Sequence, residues 1–231
     1  MLSDDSDSRH LCVSPDDKEA YAHSKNETEE QMTAIKASLM WLVWCMVHSL
    51  LITVRAQQWV ARRGGMWQGL YRLGYVCFAA VSLSLLFAYT ASLPQQRISL
   101  PSWGTGVQLI LLLYAAILFI SGARAYDMQI FLGIRQWHDA RAGRTSPAPL
   151  FLKTGILRHI RHPWYSGTIA LLWGAPGLTD LGLLIRLILT TYVVIGTFLE
   201  ERKLKQNYGV AYQSYCKQVP MLIPWRFFRK K

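Results

Sequence analysis

Residues 107–123 read Val-Gln-Leu-Ile-Leu-Leu-Leu-Tyr-Ala-Ala-Ile-Leu-Phe-Ile-Ser-Gly-Ala, and no Asp, Glu, Lys or Arg occurs from 98 to 123. An apolar run of about 18 or more residues is long enough to cross the hydrocarbon of a bilayer as a helix. Two more runs without those charges occupy 37–54 and 73–96. Two shorter apolar stretches follow, one starting near Pro163 and ending near 174–177, the other at 181–199. The expected fold is therefore an all-α integral membrane protein with about five transmembrane helices, at 34–54, 70–93, 107–123, 163–177 and 181–199. Gly174-Ala175-Pro176-Gly177 suits a tight turn between the last two. Arg186, one turn into the fifth, is expected to snorkel to the near interface.

The rest of the composition agrees. Only 17% of the 231 residues are charged and 52% are hydrophobic, which excludes a disordered chain beyond the N-terminal tail. The net charge of +11 is unevenly spread. Residues 1–36 hold nine of the fourteen acids and only four basic residues, so the remainder is strongly cationic. That charge falls in loops beside the apolar runs, which accounts for it without nucleic acid. Residues 1–33 read as a flexible acidic tail, because they hold few apolar residues. Their acidity argues against a secretory signal, so the first span is expected to be retained. Cys12, Cys45, Cys77 and Cys216 have no metal-like spacing, and no metal is expected.

Lys and Arg in the segments between spans set the expected orientation. The segments 55–72, 94–103, 124–162, 174–182 and 200–231 hold four, one, seven, none and eight. This alternation puts the N-terminus outside and the C-terminus in the cytoplasm.

The cytoplasmic stretch 155–167 reads Gly-Ile-Leu-Arg-His-Ile-Arg-His-Pro-Trp-Tyr-Ser-Gly. Pro163 suits the first position of a helix, where its missing N–H costs nothing. Arg161 and His162 stand just before that helix N-terminus and Tyr165 lies in its first turn, a corner suited to an anion such as a carboxylate. A basic interfacial anchor is the plainer alternative. Glu200 and Glu201 end the fifth span and are two of only five acids after residue 36. Carboxylates near a helix C-terminus oppose its dipole. They either pair with Lys203 and Lys205 along the helix or serve a site. Leu204, Tyr208, Ala211, Tyr212 and Tyr215 then make one apolar-aromatic stripe, expected as an amphipathic interfacial helix. Phe227, Phe228 and Arg229 to Lys231 suit an anchor for anionic membrane lipid.

Three stretches, RHPWYSG at 161–167, EERKL at 200–204 and YGVAYQSYCKQVPMLIP at 208–224, resemble the integral-membrane methyltransferases. These include isoprenylcysteine carboxyl methyltransferase, phospholipid N-methyltransferases and small-thiol S-methyltransferases. The resemblance implies S-adenosylmethionine bound on the cytoplasmic side, with Arg161, His162, Tyr165, Glu200 and Glu201 as cofactor-site residues. It divides the chain into the tail at 1–33, three helices and a loop at 34–154, and a cofactor-binding region at 155–231. The family often has Gly-x-Tyr-Arg-Tyr ahead of RHP; here those tyrosine positions are Leu157 and His159.

Further features are similar to the subgroup of methanethiol S-methyltransferase and the nitric-oxide-reductase-associated membrane proteins. They are His48-Ser49, Tyr71-Arg72, Asp127 with FLGIRQ at 131–136, and Trp173-Gly174-Ala175-Pro176. The expected acceptor is accordingly a small thiol. A prenylcysteine or lipid amine, or a non-catalytic role beside a redox complex, are the alternatives. A thiol attacks as its thiolate. His48, the one ionisable side chain between Lys36 and Arg55 apart from Cys45, His162 and Asp127 are the candidate bases. Arg135 and Gln136 are candidates for holding the cofactor.

Overall fold

A computed structural model describes residues 15–63, 65–144, 151 and 153–225. Eight α-helices follow in order: α1 (Pro15–Leu51), α2 (Val54–Ala61), α3 (Gly65–Ser92), α4 (Ser102–Ala125), α5 (Met128–Leu132), α6 (Ile134–Arg141), α7 (Pro163–Gly174) and α8 (Asp180–Gln218). A single 3₁₀ turn covers Gly155–Arg158. The expected all-α architecture is observed among the described residues.

Among the described residues four helices are long and apolar enough to cross a bilayer, within α1, α3, α4 and α8. The predicted fourth span, α7, has 12 residues and so reaches about 18 Å at 1.5 Å per residue, short of a hydrocarbon thickness of about 30 Å. It runs antiparallel to α4, with Trp164 against Phe119 near the end of α4 and Gly174 against Gln108 near its start. The segment 175–179 then continues in a non-helical conformation to the 94–101 loop, where Ile98 N–H donates to Leu178 O at 2.9 Å.

α1 extends back through the expected tail as far as Pro15, and its side chains at 23–32 are exposed. Once a packed helix exists, adding residues at its end costs far less than nucleation. Residues 1–14 and the aromatic-basic stretch from Phe227 onward lie outside the described residues.

The core of the bundle is where α1, α3 and α8 meet: Ala37, Trp41 and Cys45 pack with Leu86, Leu181, Ile185 and Leu189. Trp41 is fully buried and donates its indole N–H to Thr90 Oγ1 at 3.1 Å. The opposite faces carry exposed Leu39, Val43, Met46, Leu85, Leu113 and Ile117, as lipid-facing surfaces require. Arg186 departs from expectation. It is buried, and its Nη2 donates to Ala175 O at 2.9 Å, just past the C-terminal end of α7. A buried carbonyl needs a donor, and Arg186 meets that need across the turn instead of reaching the interface.

Helices α4 and α7 lie close together because glycine separates them. A Cβ at Gly122 would collide with the indole of Trp164. Small residues at such contacts permit the backbone approach that holds membrane helices together. Gly122→Ala should therefore destabilise the protein by about 1–3 kcal/mol, the usual cost of overpacking. A thermal melt in detergent would read this as a lowered midpoint. The same change at Gly106, which faces open space, should leave it nearly unaltered.

Candidate functional site

The chain enters the site through the 3₁₀ turn and leaves it through 219–221. Arg161 N–H donates to Pro220 O at 3.0 Å and His162 N–H donates to Met221 O at 3.1 Å. These two backbone bonds hold the Arg-His corner against the segment that follows α8. Pro163 opens α7, as its sequence position predicts.

Glu201 is the hub. Arg161 grips it with both sides of its guanidinium, Nε to Oε1 at 2.8 Å and Nη2 to Oε2 at 3.0 Å. His162 Nε2 lies 2.8 Å from Oε1, so the ring carries its proton on that nitrogen when it meets an ionised carboxylate. Tyr212 Oη donates to Oε1 at 2.7 Å, and Cys216 Sγ approaches Oε2 at 3.5 Å. Arg161 Nη1 donates to Cys216 O at 3.1 Å and also to Val219 O. Glu201 and Arg161 are only 4% and 9% exposed, so neither charge has water as an alternative partner.

Glu201 follows the apolar run 187–199 of α8, which holds no Asp, Glu, Lys or Arg. Burial alone would raise its pKa, but hydrogen bonds from His162, Arg161 and Tyr212 outweigh that and hold the carboxyl well below the usual carboxylate range. The alternative pairing of Glu201 with Lys205 along the helix is not made, because its oxygens are already taken.

Tyr212 reaches Glu201 only because α8 is broken. In a straight helix eleven residues span about 16 Å, too far for these side chains to meet. Gly209 adopts φ 54° and ψ −130°, a conformation open to glycine, and the chain bends there. Tyr212, Tyr215 and Val219 then pack with Phe151, Leu204 and Tyr208. The aromatic stripe expected in the interface is thus turned partly onto the protein itself. Tyr215 Oη also donates to the carbonyl of Leu157 at 2.5 Å.

Glu200 contrasts with its neighbour. Its side chain is 40% exposed, but Oε2 itself is buried, lies 3.8 Å from His162 Nδ1 and accepts no hydrogen bond of ordinary length among the described residues, and the Tyr165 hydroxyl faces the same carboxylate. Tyr165 is stacked on His162 with 14° between ring planes. On the adjoining face an open cleft of about 530 Å³ is lined by Arg161, Phe198, Glu201, Arg202, Lys205 and Met221, among others.

The remaining candidates lie elsewhere. Asp127 caps α5, accepting from Gln129 N–H and Ile130 N–H at 3.0 and 3.2 Å, and pairs with Arg135 Nη1 at 3.0 Å. Gln136 Nε2 donates to Ile130 O at 3.0 Å, while its Oε1 is buried without a partner. Phe131 ties this α5–α6 corner to α7 by packing on Trp164 at 4.5 Å. His48 sits in a second polar cluster, between the hydroxyls of Tyr192 on α8 and Tyr75 on α3, each 2.7 Å from a ring nitrogen. Tyr75, Tyr192 and Tyr212 were not singled out as site residues from sequence. A tyrosine within an apolar or aromatic stripe looks like packing until its hydroxyl's partner is known.

Fold and site are those of an all-helical membrane bundle with a buried Arg-His-Glu corner held on the middle of its last long helix. The chain is 30% identical over 190 residues to methanethiol S-methyltransferase 1 of Bradyrhizobium diazoefficiens, covering 81% of this chain and 66% of that protein. It is 31% identical over 200 residues to the methanethiol S-methyltransferase of a Pseudomonas species, covering 81% of this chain and 76% of the relative. It is also 28% identical over 193 residues to rat Nurim, covering 76% and 71%. No family model and no solved structure matches the chain. The chain belongs to the methanethiol S-methyltransferase family.

Removing the hub charge should be costly. Glu201→Gln keeps the shape but leaves Arg161 buried and unpaired, and breaking such a pair costs about 3–5 kcal/mol. A large fall in the melting midpoint is expected. Lys205→Gln, an exposed change, should leave the midpoint nearly unchanged.

Proposed function

We propose that the protein transfers a methyl group from S-adenosylmethionine to a small thiol of the methanethiol type. The observation that carries this is Glu200, whose Oε2 is buried and accepts no hydrogen bond of ordinary length although the His162 ring and the Tyr165 hydroxyl face its carboxylate, beside the Arg161–His162–Glu201 frame. A buried carboxylate oxygen without a donor costs free energy unless something supplies one, and the α-ammonium of S-adenosylmethionine is such a donor. The donor set therefore fits the cofactor. Glu200 would take the ammonium, Arg161, His162 and Glu201 would fix the corner, and Tyr165 would offer a ring face. Arg135 and Gln136 would close the site from α6, Gln136 through its own unpartnered oxygen.

When bound, the cofactor supplies an already activated methyl group on a sulfonium. The protein's task is then to orient the acceptor, keep water out and take up a proton. His48 is the proposed base, being held between two hydroxyls inside the bundle. Asp127 is less suited, because a helix cap and Arg135 already occupy its carboxylate. His162 is committed to Glu201 through Nε2. The names of the Bradyrhizobium and Pseudomonas relatives support a thiol acceptor. The Lys/Arg alternation supports an external N-terminus, with the C-terminus and the cofactor site in the cytoplasm.

Two measurements test this. Purified protein given S-adenosylmethionine and methanethiol should yield dimethyl sulfide in the headspace; absence of thioether from protein that binds the cofactor would reject the thiol assignment. Glu200→Gln should weaken cofactor binding roughly 10- to 150-fold, the loss expected for a charge-assisted hydrogen bond of about 1.5–3 kcal/mol. Calorimetry reads that change, with the melting midpoint of the free protein preserved.

A further inference from the structure

His48 lies in a line of four hydrogen-bonding side chains inside the bundle. Ser49 Oγ is 3.0 Å from Tyr192 Oη, Tyr192 Oη is 2.7 Å from His48 Nδ1, and His48 Nε2 is 2.7 Å from Tyr75 Oη. The three elements that supply them are α1, α8 and α3. Trp44 stacks on the imidazole at 4.9 Å, which fixes the plane of the ring.

The protons in this line can be counted. Neutral imidazole has one donor and one acceptor nitrogen. If Tyr75 O–H donates to Nε2, then Nδ1–H donates to Tyr192 Oη, and Tyr192 O–H is left to donate to Ser49 Oγ. Each tyrosine hydroxyl then gives one bond. Tyr192 Oη is engaged on both sides. Tyr75 Oη touches only His48 among the described residues, so its oxygen keeps a free lone pair. With this assignment the line ends in a donor at Ser49 and in an acceptor at Tyr75.

We propose that Tyr75 receives the thiol. The acceptor S–H donates to Tyr75 Oη, Tyr75 passes its own proton to His48 Nε2, and Tyr192 holds the tautomer that leaves Nε2 free to take it. This rests on the thiol-methylation function proposed above. The balance is complete. A bond forms between the thiol sulfur and the methyl carbon, and the bond from that carbon to the sulfonium sulfur breaks with its electron pair staying on that sulfur. The thiol proton ends on the line, leaving His48 as imidazolium until solvent takes the proton. The sulfonium charge disappears as the imidazolium charge arises, so the low-dielectric interior holds one positive charge throughout. A change of net charge there would carry a heavy desolvation cost; this exchange avoids it. Tyr75 is thus a catalytic residue that touches the substrate, and Tyr192 is a positioning residue.

Other titratable groups border the line. Cys45 and Tyr165 face Tyr192, while Arg72 and Tyr71 face Tyr75. Tyr71 is already committed to the carbonyl of Leu51 and Arg72 to that of Phe131, so neither competes for the thiol proton.

The test compares ethanethiol with 2,2,2-trifluoroethanethiol, a close match in size that ionises far more readily. Full-length protein in detergent is assayed as wild type, Tyr75→Phe and Tyr192→Phe. Tyr75→Phe should lower kcat on ethanethiol by about 10²-fold, the lower end for general acid–base catalysis, and by less than about threefold on the fluorinated thiol, which arrives as thiolate. Tyr192→Phe should show the same selectivity with a smaller loss. A readout without turnover uses ¹⁵N-histidine protein saturated with S-adenosylhomocysteine. Adding ethanethiol should shift the His48 ring nitrogens in wild type and leave them unmoved in Tyr75→Phe. Equal losses on both thiols, or an unaltered rate on ethanethiol, would overturn the relay. If Tyr75→Phe fails to fold, the wild-type spectrum decides: no His48 response to ethanethiol overturns it. Wild-type protein inactive on both thiols would instead overturn the function on which the relay rests.

Discussion

The carboxylate of Glu201 is the point on which this end of the bundle depends. It gathers donors from three separated stretches: Arg161 and His162 before α7, Tyr212 beyond the bend in α8, and Cys216 near its end. Arg161 and His162 are adjacent and Tyr212 and Cys216 are four residues apart, but the two pairs and Glu201 come from separate stretches of the chain. A carboxylate this enclosed must be satisfied from every side, so the four donors are held at fixed positions relative to the last long helix. The backbone bonds from 161 and 162 to 220 and 221 then seat the corner on the terminal segment. The start of α7 inherits its place from that arrangement, and Trp164 in turn meets Phe131 of α5 and Phe119 of α4.

The adjacent glutamates divide the labour. Glu201 is satisfied to capacity and acts as framework. Glu200 keeps a buried oxygen that accepts no hydrogen bond of ordinary length, and such an atom is tolerable where a ligand completes it. The same contrast recurs in the His48 cluster, where Tyr192 is fully engaged and Tyr75 is open at one side. In an apolar bundle most polar groups are placed to satisfy the backbone or each other. The exceptions are therefore few and informative.

Part of the site was legible as residue types. RHPWY and Glu-Glu stand out because charge is scarce in this chain; the helix end expected after 199 is not observed, because α8 continues through both glutamates to Gln218. What the residue types do not give is which glutamate is framework and which is open. That depends on where Arg161 points, and therefore on the bend at Gly209 and the return of 219–221. Asp127 shows the reverse case. Its neighbours suggest a base, but three short-range donors make it a cap and an ion-pair partner.

Sequence by itself determined the all-helical membrane architecture, because the length of an apolar run is a property of the chain alone. It also determined where α7 begins, because proline at the first helical position acts locally. It overstated the tail, since a helix propagates from a packed segment into polar sequence at little cost. It misdirected Arg186 because snorkelling is a default that a nearby buried carbonyl overrides. Only the tertiary structure decided that α7 falls short of a full crossing, that Tyr212 serves Glu201, and that Tyr75 and Tyr192 bracket His48. These are contacts between residues 27 to 144 positions apart, or across a bend. No periodicity in the chain encodes them, because hydrogen bonds of that kind are set by where packed helices bring their faces together.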